Sequence, residues 1–152
     1  MITLKRMDSV EFQKYIQSSV ITYAKEKVLS GNWKEEGSIK MAKEEYTKLL
    51  PNDEKTENNY LYIILNEDQK ECGMMWLARR SVEEGFIYEI NIMKEYQGLG
   101  YGKEAMKQIE EIGRQLGMKK ISLHVFGHNQ VARGLYEKLG YQTTNVKMEK
   151  EI

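Results

Sequence analysis

Gln97-Gly98-Leu99-Gly100-Tyr101-Gly102-Lys103 stands between a strand-like stretch, Phe86 to Met93, and a helix-like one in which Ala105, Met106, Ile109, Ile112 and Leu116 recur until Gly117. Three glycines in five residues let the backbone take left-handed or crowded conformations. The free amides at the head of the following helix then point together at one spot, and the helix dipole makes that spot attractive to an anion. Lys94 and Lys103 add charge, so a phosphate or pyrophosphate is the expected guest. Two better-known anion loops do not fit. A Walker loop needs four residues before its Gly-Lys pair and then Ser or Thr, whereas three separate Gly98 from Gly102-Lys103, and Glu104 follows. A dinucleotide fingerprint reads G-x-G-x-x-G inside a parallel unit, but this loop reads G-x-G-x-G and follows an antiparallel meander.

The meander is read from three apolar runs joined by short polar turns: Tyr60 to Leu65, Glu71 to Arg79 and Phe86 to Met93. Beyond the loop and its helix, Ile121, Leu123 and Val125 alternate as a strand, and such a strand, helix, strand unit should be parallel. Asn129 can cap a further helix carrying Ala132, Leu135, Tyr136 and Leu139 and closed by Gly140. Tyr141 to Lys150 reads as a last strand with Val146 and Met148 inward. Upstream, Asp8 and Glu11 form a possible capping box for a helix running to about Gly31, with Phe12, Tyr15, Ile16, Ser19, Tyr23, Ala24 and Val28 at helical spacing. Ser38 can cap a second helix whose inward residues are Met41, Ala42, Tyr46 and Leu49, stopped by Pro51, and Asn52 to Asn59 is a loop. The expected architecture is therefore α/β: a central mixed, mainly antiparallel sheet flanked by about four helices.

The chain has 152 residues, 41% hydrophobic and 30% charged, which suits one domain spanning 1–152 with a core large enough to need neither disulfides nor a structural metal. Its single cysteine, Cys72, reads as a small strand hydrophobe and points to a reducing cytoplasm. Twenty-three basic residues cancel 23 acidic ones, so bulk attraction to nucleic acid or an anionic membrane is not expected. The longest apolar run, Tyr60 to Leu65, is far short of the ~20 residues of a membrane span.

With these residues in place, the sequence resembles the GNAT superfamily of acyl-CoA-dependent N-acyltransferases over roughly residues 60 to 150. The family's pyrophosphate loop, Q/R-x-x-G-x-G/A, is matched by Gln97, Gly100 and Gly102. Downstream, Leu123-His124-Val125, Asn129, Ala132, Leu135-Tyr136 and Gly140-Tyr141 fall at the spacing of the pattern L-x-V-x-x-x-N-x-x-A-x-x-L-Y-x-x-x-G-F/Y. The segment around Tyr23, Glu26-Lys27, Gly31 and Trp33 looks like a bacterial branch of the superfamily. The resemblance implies acetyl-CoA as acyl donor and co-substrate, with no metal. Its diphosphate would lie on the amides of Gly98, Leu99, Gly100, Tyr101, Gly102 and Lys103, and the amides near Ile92 would hold the thioester carbonyl as oxyanion donors. Asn129 and Tyr136 would complete the coenzyme site. Direct attack by a primary amine, with no covalent enzyme intermediate, is the expected reaction.

Such a reaction needs a base for the amine and an acid for the departing thiolate. Tyr136 matches the family tyrosine facing the coenzyme sulfur, and a phenol of pKa ~10 can donate to a thiolate of pKa ~8.5. The base has two candidates. His124 stands twelve residues before Tyr136, at the position where GNAT members acting on protein amino termini carry a Glu or His, and Glu89 sits on the strand before the loop. A family bulge in that strand leaves the direction of Glu89 open. His128 is expected at the surface. Acceptor choice is expected from Tyr23, Glu26, Trp33, Glu35, Glu36 and the loop after Pro51, whose acids suit a cationic small-molecule or peptide amine. The protein is expected to be a monomer or homodimer. The competing reading, from another class, is a non-catalytic acyl-CoA sensor or interaction module, which would need neither an acid nor a base.

Overall fold

A computed structural model describes residues 1–152. They fall into two compact units, Met1–Ser122 and Leu123–Ile152. In the first unit, β1 (Thr3–Arg6) leads into α1 (Ser9–Leu29) and α2 (Ser38–Leu49). A 3-10 turn at Asp53–Lys55 precedes β2 (Asn59–Leu65), β3 (Glu71–Arg79) and β4 (Glu84–Ile92). A second such turn, Lys94–Tyr96, and α3 (Tyr101–Gln115) lead to β5 (Lys120–Leu123), whose last residue opens the second unit.

The sheet runs in the order β1-β2-β3-β4-β5. Its first four strands pair antiparallel, with Leu4 opposite Ile64, Ile63 opposite Met74 and Met74 opposite Asn91. The α3 crossover brings β5 to β4, where the Lys119 and Lys120 amides donate to the Glu83 carbonyl at 2.7 and 3.1 Å, and the sheet is mixed as expected. One face carries Leu61, Ile63, Met74 and Trp76, which bury against Phe12 and Tyr15 of α1 together with Met7 and Leu50. Residues of opposite parity, among them Ile64, Met75 and Leu77, are fully buried, as are Ala105, Met106 and Ile109 of α3. The buried stripe of α3 recurs at three- and four-residue spacing, as a helix laid on a sheet requires. Cys72 is a buried free thiol that donates to the Ile64 carbonyl at 3.3 Å, and burial pushes its pKa up.

The capping box is present: the Glu11 amide donates to Asp8 at 2.8 Å and the Asp8 amide to Glu11 at 3.0 Å. In the first part of the chain the structure departs from the sequence reading at four points. First, β1 was not read from the sequence, because Leu4 is its lone aliphatic residue on a polar edge strand. Second, α2 is capped by Gly37 in the left-handed conformation, and Ser38 lies inside the helix with its hydroxyl donating to the Glu35 carbonyl at 2.9 Å. Third, Met41 and Leu49 are each 42% exposed, because α2 buries only the narrow strip through Ser38, Ala42 and Tyr46. Fourth, β5 ends at Leu123, short of Val125.

In the second unit, α4 (Gln130–Lys138) begins at Asn129, whose side chain accepts from the Ala132 amide at 3.2 Å as expected of a cap. The Tyr141 amide donates to the Tyr136 carbonyl at 2.9 Å and closes the helix. The expected strand from Tyr141 to Lys150 is absent, and Val146 and Met148 are exposed. Two apolar side chains among Gln142, Thr143, Thr144, Asn145, Lys147 and Glu149 bring too little buried surface to fix a strand. No helix in the protein is long and apolar enough to cross a membrane.

Candidate active site

The glycine loop starts where β4 stops. The Met93 amide donates to the Cys72 carbonyl at 2.9 Å, and the Gln97 side-chain amide donates to the Ile92 carbonyl at 2.9 Å, tying the motif's glutamine to the strand end. Gly98 and Gly100 have φ of +80° and +84°, and a Cβ at either would meet open space. Glycine is therefore required here by the backbone and not by crowding. Gly100 is the left-handed N-cap of α3 and offers no side chain to the first turn, so the amides of Tyr101, Gly102 and Lys103 are left to an outside acceptor. Glu104, the acid of that turn, accepts from the Ile2 amide at 2.8 Å. Lys94 and Lys103 are exposed beside the loop. This arrangement suits a diphosphate.

Glu89 owes its position to a bulge. In the β3–β4 register Trp76 faces Glu89 and Leu77 faces Ile87, so Tyr88 is the extra residue. Tyr88 stacks on Trp76 with ring centroids 4.5 Å apart, and Glu89 emerges on the same α1-covered face. There the Tyr15 hydroxyl donates to Glu89 Oε1 at 2.7 Å. Burial raises the Glu89 pKa; the Tyr15 hydrogen bond opposes that rise, and the charge of Glu26 adds to it. The carboxylate lines a cavity of about 280 Å³ between α1 and strands β3 and β4, shared with Tyr15, Ser19, Glu71, Met74 and Asn91. A larger cleft of about 650 Å³ between α1 and α2 contains none of the catalytic or coenzyme candidates, but Asp53 of the loop after Pro51 lines it.

The second unit carries His124, Asn129 and Tyr136. His124 is exposed, its ring edge-on to Phe126 at 5.1 Å, and His128 is exposed as expected. Tyr136 is half-buried on α4 with its ring 6.0 Å from that of Tyr141, and burial raises its pKa, so the phenol holds its proton at neutral pH. Glu89, Ile92 and the loop through Lys103 belong to the first unit. The five residues expected to select the acceptor do not border the Glu89 cavity. Tyr23 instead packs edge-on to Trp33 and Tyr46 and donates to Glu45 at 2.6 Å, while Glu26, Glu35 and Glu36 are exposed. Sequence reasoning missed Tyr15, Glu71 and Asn91 as neighbours of Glu89; Tyr15 looked like any apolar-face residue of α1.

The family profile that matches residues 25–141 is that of the Acetyltransferase (GNAT) family. The chain belongs to this family. Among GNAT relatives, the N-acetyltransferase YycN of Bacillus subtilis, named as uncharacterized, is 36% identical over 154 residues, covering 99% of each chain. Its counterpart YdgE from the same organism, named likewise, is 33% identical, with 99% of this chain and 98% of that one covered. The crystal structure of YycN superposes with a TM-score of 0.88 at 35% identity, covering 100% and 99% of the two chains. A GNAT acetyltransferase of Elizabethkingia anophelis, solved with acetyl-CoA bound, shares the fold at 20% identity, with a TM-score of 0.58 over 68% of this chain and 63% of that one. The GNAT fold read from the glycine loop and its downstream pattern is thus the fold of this chain, and its family is one of acetyltransferases.

Proposed function

We propose that the protein transfers the acetyl group of acetyl-CoA to a primary amine by direct attack in a ternary complex. The observation that carries this reading is the bulge at Tyr88, which turns a carboxylate, Glu89, into a cavity beside the strand end that leads into an anion-accepting loop. Acetyl-CoA supplies an activated acetyl thioester. The amides of Gly98 to Lys103 would hold its diphosphate, with Gln97 fixing the start of their loop, Asn129 would serve the coenzyme as the family pattern implies, and the amides near Ile92 would stabilise the developing oxyanion.

A protonated amine is no nucleophile, so the cavity must first attract the ammonium form and then take its proton. Glu89 serves both steps: its charge draws a cation, and its raised pKa brings a carboxylate closer to the operating pH of a base. At about 280 Å³ the cavity admits the amine-bearing end of an acceptor. Tyr136 then donates its proton to the departing thiolate. His124 is the alternative candidate for the base, at the family position twelve residues before Tyr136. A role for this chain as a mere coenzyme sensor would leave the half-buried, desolvated Glu89 carboxylate with nothing to do.

The test is CoA release with acetyl-CoA and a panel of amines: an aliphatic diamine, an arylethylamine, an amino sugar and a short peptide with a free amino terminus. Thermal melts with and without acetyl-CoA accompany it. Turnover with at least one amine, above the rate with acetyl-CoA alone, is expected. Stabilisation by acetyl-CoA with no turnover on any of them would favour the sensor.

A further inference from the structure

Glu89 is not merely half-buried beside α1; it is held. We propose that Tyr15 is the positioning residue of the candidate base, fixing the Glu89 carboxylate in the cavity through its hydroxyl. This rests on the reading of Glu89 given above. The hydroxyl donates to Glu89 Oε1 at 2.7 Å, a short contact of the kind made to a charged acceptor, across 74 residues of sequence. Tyr15 itself has little freedom. It is 8% exposed, lies in the cluster of Phe12, Leu61, Met74 and Trp76, and sets its ring 6.2 Å from that of Phe12.

The surroundings explain why the carboxylate needs a donor. From α1 it is faced by Tyr15, by Ser19, whose hydroxyl adjoins Tyr15, and by the charge of Glu26; Glu11 and Lys14 stand at the cavity wall. Glu11 is already engaged by Lys5 at 2.8 Å. From α2 comes the Tyr46 phenol, and from β3 come Glu71 and the Trp76 ring. Acids outnumber the one cavity lysine, and the tyrosine hydroxyl is the donor placed on the carboxylate. Burial and the charge of Glu89 both push the Tyr15 pKa far up, so it stays a donor at every working pH. Removing that donor leaves burial and Glu26 unopposed, and Glu89 would take up a proton at higher pH.

The experiment uses the full chain and Tyr15→Phe, which keeps the buried ring. Side-chain carboxyl carbons are labelled with ¹³C, the Glu89 resonance is assigned through its loss in Glu89→Gln, and its titration is followed by NMR without ligand. The midpoint is expected to move to higher pH in Tyr15→Phe. With the panel amine turned over fastest, the rising limb of kcat/KM against pH should move the same way, and kcat/KM below the limb should drop about tenfold, the scale of one hydrogen bond to a charged group. In a Glu89→Gln background Tyr15→Phe should cost nothing more. An unmoved carboxyl midpoint would overturn the positioning role and leave the acetyl-transfer reading standing. A moved midpoint with an unmoved rate profile would overturn Glu89 as base, and losses that add across the two substitutions would make Tyr15 structural only.

Discussion

Gly100→Val tests the glycine loop, and the fold provides a matched control. Gly100 and Gly117 have φ of +84° and +86°, and a Cβ at either meets nothing within 4 Å, so neither substitution creates a clash. Each forces an L side chain into the left-handed region, at a cost of roughly 1–2 kcal/mol. For a protein of this size that is a fall in melting temperature of about 2–8 °C, the same for both variants. They differ in place: Gly100 caps the N-terminus of α3, whereas Gly117 follows its C-terminal end. Acetyl-CoA at a hundredfold its Kd should stabilise the wild-type protein by ~2.7 kcal/mol, which melts read as a rise of roughly 5–11 °C. Gly117→Val should keep that rise and Gly100→Val should lose it. A rise retained by Gly100→Val, or lost by both, would refute the assignment of the loop to the diphosphate.

Tyr136→Phe should leave the acetyl-CoA-dependent rise intact while turnover falls by ~10²-fold or more, the scale of general acid catalysis; unchanged turnover would return Tyr136 to a packing role. His124 is exposed, so His124→Ala should shift stability by no more than ~0.5 kcal/mol, and a loss of ~10²–10⁴ in turnover together with the rising pH limb would identify it as the base in place of Glu89. Because the folded-state pKa of Glu89 is raised, its contribution to stability is present at low pH and is lost as pH rises through that pKa. Wild-type protein should therefore melt progressively lower relative to Glu89→Gln as pH rises from the ordinary carboxylate range through the raised folded-state pKa, and a constant gap would contradict the desolvation of the charge. Ile109→Ala empties a fully buried site under the sheet and should cost ~2–5 kcal/mol by chemical denaturation, with a cost below ~1 kcal/mol refuting the packing of α3.

What the sequence revealed depended on how local each signal is. The capping box of Asp8 and Glu11, the polar turn from Asn66 to Lys70 and the apolar runs of β2 and β3 are written within a few residues, and the structure follows them closely. The edge strand β1 carries one inward aliphatic, Leu4, and draws its stability from pairing with β2, a partner some sixty residues away that no local pattern reveals. At Gly37 a left-handed backbone replaced the serine cap that the residue types suggested. The tail after Tyr141 had the alternation of a strand and no buried surface to hold it. The site divides in the same way. Gln97, Gly98 and Gly100 could be read as an anion loop from spacing alone, because the φ values demand glycine there. The direction of Glu89 could not, since a bulge of one residue at Tyr88 reverses it, and the contact with Tyr15 exists only once α1 is packed on the sheet.

Acetyl transfer to an amine is tested most directly by product analysis: the protein is incubated with ¹³C-acetyl-CoA and the amine panel, and free CoA, acetate and acetylated amine are quantified together by mass spectrometry. One labelled amide for each CoA released, lost in Glu89→Gln or His124→Ala, is the expected result. CoA released with acetate in place of amide, or acetyl-CoA recovered intact with every amine although it stabilises the fold, would contradict it.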